Sequence, residues 1–146
     1  MKKLIALMII SISLFALDFT FTKAFREFNK GVNLEKKDPQ SAMVHFQKAY
    51  IYIETLKNKD TSQINYMLGR MYCNGWGVEK NYAKAEKYFL RAIELGNKRA
   101  NCCLARLYIK EGKPELAKKY LEYAKTHKSI ANYCSDINQS IVKETK

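Results

Sequence analysis

The sequence predicts an all-α fold of stacked helix hairpins, and three observations carry that expectation. Asn65, Leu68, Arg70 and Tyr72 recur as Asn101, Leu104, Arg106 and Tyr108, a spacing of 36 residues, and Asn132-Tyr133-Cys134 opens a further, degenerate copy. A fixed period of roughly 20 to 50 residues is the signature of a repeat architecture. A second column recurs three times, as Ala42, Phe46 and Ala49, as Ala85, Phe89 and Ala92, and as Ala117, Leu121 and Ala124. Small residues at that spacing let two helix backbones approach, while the large one between them fills the space toward the neighbouring hairpin. Alternating strand patterns are essentially absent, and only two prolines interrupt 146 residues.

The first seventeen residues stand apart. Lys2 and Lys3 precede the apolar stretch Leu4 to Leu17, and the first acid is Asp18. A basic start followed by a short apolar run is the layout of a secretory signal. Residues 1–16 are therefore expected to be a signal peptide, cleaved after Ala16 or, behind Ser11, after Ser13. The apolar run of about 14 residues is shorter than the ~20 that span a bilayer as a helix. No transmembrane segment is expected in the mature chain, and a periplasmic or secreted location follows. Loss of Lys2 and Lys3 lowers the formal charge of +12 by two, to +10. So basic a chain suits anionic partners, although scattered lysines also serve solubility. Export argues against nucleic acid.

The hairpins follow in order. A first helix is expected over about Phe19 to Glu35, then a turn at Asp38-Pro39, with Pro39 in the first turn of a second helix that runs to about Leu56. The next pair covers Ser62 to Cys73, capped by Thr61 or Ser62, and Tyr82 to Leu95, stopped by Gly96. The third pair covers Arg99 to Lys110, broken at Gly112, and Pro114 to Thr126. A last helix, Ser129 to Val142, would close the open end of the stack. The corresponding segments are 17–60, 61–97, 98–128 and 129–146.

At the centre of this pattern stand Leu68-Gly69, Tyr72, Gly75, Gly77-Val78, Lys84-Ala85, Tyr88-Phe89 and Ala92, with Asn81 where an acid is usual. The stretch resembles the Sel1-like repeat of the tetratricopeptide superfamily. Tyr72 to Ala85 is four residues longer than Tyr108 to Ala117, so the first and third units look like shorter tetratricopeptide hairpins around one complete Sel1-like unit. The resemblance spans residues 24 to 134. It implies a right-handed α-solenoid of about three hairpins plus a C-terminal capping helix, acting as a scaffold for protein partners in exported bacterial proteins.

Related repeats bind along the concave wall made by their first helices. By that register the partner-binding candidates are Gln63, Tyr66 and Arg70, then Arg99, Cys102 and Arg106, and Tyr133 from the end cap. Arg70 and Arg106 hold the same position of successive repeats. Two guanidinium groups flanked by tyrosines suit a carboxylate-bearing or otherwise anionic protein or peptide, although each arginine could equally be solvated or paired with a nearby acid. Trp76, between two glycines, is expected to pack over the hairpin end rather than stand as an exposed anchor.

The resemblance also implies an alternative, because a cysteine-rich branch of the family carries β-lactamase and penicillin-binding assignments. In that branch a disulfide joins the residue after the repeat alanine to the first residue of the next hairpin. Here those positions are Ile93 and Asn101, then Lys125 and Asn132. Ser140-Ile141-Val142-Lys143 satisfies the serine-x-x-lysine pattern of penicillin-interactive enzymes. It falls at the end of the last expected helix, Ser135-Asp136 precedes it, and there is no Lys-Thr-Gly strand to build an oxyanion site. No catalytic residue is expected. Neither is a cofactor or metal, since His45 and His127 are isolated and no CxxC or HExxH spacing occurs.

Four cysteines in an exported chain invite disulfides. Cys103 and Cys134 are equivalent by register, but first helices packed about 8 to 10 Å apart exceed the ~7 Å that a disulfide allows between Cα atoms. Cys102 with Cys134 requires a register shift at the degenerate copy, and Cys73 has no evident partner. Asp136-Ile137-Asn138-Gln139-Ser140 resembles the acid-x-Asn-x-Ser/Thr acceptor of periplasmic N-glycosylation, which makes Asn138 a candidate modification site.

Overall fold

The computed structural model of the protein describes residues 19–56, 59–127 and 132–134. These residues form an all-α structure of helix hairpins, and none of them lies in a strand. Helix α1 is described over residues 19–34. It is followed by α2 (Pro39–Glu54), α3 (Ser62–Asn74), α4 (Tyr82–Glu94), α5 (Arg99–Lys110), α6 (Pro114–Thr126) and a 3-10 turn at Asn132–Cys134. The chain divides into two compact units: residues up to Lys59 together with Trp76–Val78, and Asp60–Gly75 together with Glu79 onward. Among the described residues no helix is long and apolar enough to cross a membrane. The expected signal segment, residues 1–16, lies outside the described residues.

Local chemistry sets the helix ends. The Asp38 carboxylate accepts from the Ser41 amide at 3.1 Å, and Pro39 supplies a first-turn residue whose missing N–H costs nothing there. Thr61 Oγ1 accepts from the Ile64 amide at 3.2 Å and Asn81 Oδ1 from the Lys84 amide at 2.9 Å. Helix α3 stops at Gly75, which takes φ +75° and sends its N–H to the Met71 carbonyl at 2.8 Å. Of the closing helix expected over 129–142, only the 3-10 turn is described.

Within the first unit, α1 lays Ala24 and Phe28 against Ala42, Phe46, Ala49 and Ile53 of α2, all buried. Gly31 is what lets the pair close, because a Cβ there would sit 2.6 Å from the Phe46 ring. Trp76 belongs to this unit and is buried. Its indole stacks on Phe46 with centroids 4.4 Å apart and meets Phe28 edge-on at 5.9 Å, while its Nε1 donates to Glu35 at 3.0 Å. Trp76 thus packs on the hairpin.

In the second unit α3 pairs with α4, and α5 with α6. The same close crossing returns at Gly69, where a Cβ would lie 2.5 Å from the Phe89 ring. The third hairpin has Ala105 and Leu121 at those two places, both buried. One methyl more on one helix is matched by a smaller side chain on the other, as close-packed interiors require.

Candidate interaction site

Three helical segments of the second unit bring most of the expected partner-binding residues together. Tyr66 stands mid-way along α3, Arg70 one turn later, Arg99 and Arg106 on α5, and Tyr133 on the 3-10 turn. The hydroxyls of Tyr66 and Tyr133 lie 2.7 Å apart, so one donates to the other. The Cys103 thiol is within 3.9 Å of Tyr66 and 3.7 Å of Tyr133, completing a hydrogen-bonded triangle. Arg106 Nη2 donates to the Tyr133 backbone carbonyl at 2.9 Å, and its guanidinium carbon lies 5.2 Å from the Tyr133 ring centre. Arg99 approaches the same ring at 6.0 Å and Arg70 the Tyr66 ring at 5.8 Å, within reach of cation–π attraction.

Burial decides how these groups behave. Tyr66 is only 6% exposed, so it is not the open groove residue that the register implied. Desolvation pushes its phenol well above the usual tyrosine range, and burial pushes Tyr133 the same way. Both hydroxyls therefore stay protonated and able to share one bond. Arg70, Arg106 and Tyr133 are half-buried and Arg99 is exposed. Gln63, in the first turn of α3, is half-buried and stands apart: among the described residues no hydrogen bond or ring contact links it to Tyr133.

The cysteines settle differently from their register. The disulfide joins Cys102 to Cys134, with Cα atoms 5.4 Å apart, and Cys102 is fully buried rather than facing a partner. Cys103 is a free, buried thiol, as is Cys73, whose pKa burial raises. Equating Cys134 with Cys103 assumed that the degenerate copy continues as an α-helix. It forms a 3-10 turn instead, which advances about 120° per residue rather than 100° and so breaks that equivalence. Asn138, Ser140 and Lys143 lie outside the described residues.

A sequence profile of the Sel1 repeat matches residues 24–50 and 64–97. In those two segments the chain is similar to Sel1 repeats. Searches of curated proteins and of solved structures each found no match. The second matched segment contains Tyr66 and Arg70, whereas Arg99, Arg106 and Tyr133 lie beyond it. Sel1 repeats typically act as scaffolds for protein–protein interaction.

A pocket of about 610 Å³ opens elsewhere in the second unit, between the start of α3 and the outer face of α4. Asp60 accepts from Asn65 Nδ2 at 2.7 Å and from Arg91 Nε at 2.7 Å, and Arg91 also reaches Glu94 at 2.9 Å. Glu86, on its rim, accepts from the Tyr108 hydroxyl at 2.6 Å. The Asp60–Arg91 and Tyr108–Glu86 contacts tie α3 and α5 to α4. The repeat period singled out Asn65 and Tyr108 but not Asp60, Glu86, Arg91 or Glu94, whose signals are the acid before the Thr61 cap and the i,i+3 spacing of Arg91 and Glu94. Among the described residues there is no cluster of three potential metal ligands, and His45 instead pairs with Glu27 at 2.7 Å.

Proposed function

We propose that this protein is an exported scaffold that binds an anionic protein or peptide partner on the face formed by α3, α5 and the 3-10 turn. The observation that carries the reading is the convergence of Arg70, Arg99 and Arg106 on the Tyr66–Tyr133 pair. Guanidinium groups beside aromatic rings combine planar carboxylate recognition with stacking, which is why arginine and tyrosine dominate binding hot spots. The formal charge of +12, or +10 once Lys2 and Lys3 are removed with the signal, adds long-range attraction for an acidic partner. Export rests on the basic and apolar layout of residues 1–17.

The test is a crosslinking pull-down from periplasmic extract, wild type beside Arg70→Ala/Arg106→Ala. A partner recovered by wild type should lose roughly tenfold or more in affinity to the double variant, with a shallower salt dependence. Unchanged affinity and salt slope would move the interface elsewhere. Mass analysis of the mature protein from the envelope fraction checks export separately, with a start near Leu17 expected.

A further inference from the structure

The interaction face already holds a side chain, and the protein supplies it. Tyr133 arrives on a three-residue turn secured to α5 by the bond from Cys134 to Cys102. Three of its features are engaged at once. Its hydroxyl meets that of Tyr66 at 2.7 Å, its ring lies near the guanidiniums of Arg106 and Arg99, and its backbone carbonyl accepts from Arg106 at 2.9 Å. A hydroxyl, a ring face and a main-chain carbonyl are what any tyrosine within a peptide offers, so these contacts read as a recognition pattern as well as a packing arrangement.

We infer, building on the binding face proposed above, that Tyr133 is an internal ligand and that the external partner presents an acid-flanked tyrosine which takes its place. Tyrosine is selected over phenylalanine because Tyr66 and Cys103 are buried, and a ring without its hydroxyl would remove the polar group they share. Tryptophan is disfavoured because its indole N–H donates but cannot accept. The acidic flank follows from Arg99 and Arg106 at the Tyr133 ring and Arg70 at the neighbouring Tyr66 ring. The tether governs competition: a segment joined covalently to its own site has an effective concentration in the millimolar range, which a free peptide must exceed before it displaces Tyr133.

The probe is a fluorescent peptide copying residues 130–136, Ile-Ala-Asn-Tyr-Ser-Ser-Asp, with serine at position 134, titrated against the full chain. Binding to Tyr133→Ala/Cys134→Ser is expected to be at least tenfold tighter than to wild type. The same peptide carrying alanine in place of its tyrosine should lose that gain, and phenylalanine there should lose part of it. Adding Arg106→Ala to the vacated chain should weaken binding about tenfold. Because vacating the site could loosen the fold, helix content is followed by circular dichroism. Tyr133→Phe, which keeps the disulfide, serves as the second variant and should admit the peptide about two- to tenfold more tightly than wild type. Equal affinity for wild type and both variants, or indifference to the peptide's tyrosine, overturns the inference. If the peptide fails while Arg70→Ala/Arg106→Ala still weakens partner capture, the internal ligand falls and the binding face stands. Peptide binding with partner capture unchanged would separate them the other way.

Discussion

Trp76 in the first unit and Tyr133 in the second each come from a segment outside the hairpin they pack on, yet their surroundings differ in kind. Trp76 lies among aromatic rings, stacked on Phe46 and edge-on to Phe28, and its indole donates to Glu35. Tyr133 is half-buried, surrounded by arginines and hydroxyls, and held by a disulfide two atoms of backbone chemistry away, at the next residue. The first arrangement gains its stability from area removed from water. The second places most of its contacts in hydrogen bonds and charge, which give direction and can be exchanged for similar contacts from another chain.

The largest test of that contrast is Trp76→Ala beside Tyr133→Ala. Removing the indole should destabilise the first unit by about 3–5 kcal/mol, read by denaturant titration, while Tyr133→Ala should cost about 1–2 kcal/mol. Equal losses would erase the distinction between a packed and an exchangeable aromatic. Next in size is Gly77→Ala. Gly77 takes φ +72°, and a Cβ would lie 2.7 Å from the Phe46–Gln47 backbone, so a loss of about 1–3 kcal/mol is expected, with near-ultraviolet dichroism reporting whether Trp76 has shifted.

Tyr66→Phe probes the polar side more gently. It should cost about 1 kcal/mol near neutrality. Since both phenols have raised pKa values in the folded state, their contribution is fully present below about pH 10 and is lost as pH rises above it. Wild type should therefore lose stability in alkali more steeply than Tyr66→Phe. The smallest effect belongs to Glu27, whose pKa is lowered chiefly by its hydrogen bond to His45, with Lys30 adding, against desolvation. A lowered carboxylate contributes above its ordinary 4.5 and loses that contribution as pH falls below it. Glu27→Gln should flatten the acid limb of the melting profile, and an unchanged limb would assign it to other carboxylates.

The sequence made the helices readable because their ends are written in local chemistry. Asp38 and Thr61 fix helix starts through bonds spanning three residues, Gly112 donates back to the Ile109 carbonyl just past α5, and Pro39 and Pro114 open their helices with a ring-fixed φ. Small errors remained where no such signal exists: α2 ends at Glu54 rather than near Leu56. The gathering of Tyr66, Arg70 and Arg106 followed from the repeat period. The disulfide pairing and the burial of Tyr66 did not, because both depend on how a degenerate copy turns after α6. No periodicity reports that. The exchange of Gly69 and Phe89 for Ala105 and Leu121 was visible as letters, but its meaning as conserved volume needed the distance between ring and backbone.

The placement of the indole has one more consequence. The chain contains one tryptophan, and that side chain is 7% exposed within the first unit. Emission excited at wavelengths where tyrosine does not absorb therefore reports on the first unit alone, shifting to the red when its rings come apart. Backbone dichroism weighs the helices of both units together. Followed in one denaturant series, the separation between the two midpoints measures directly how independently the units unfold.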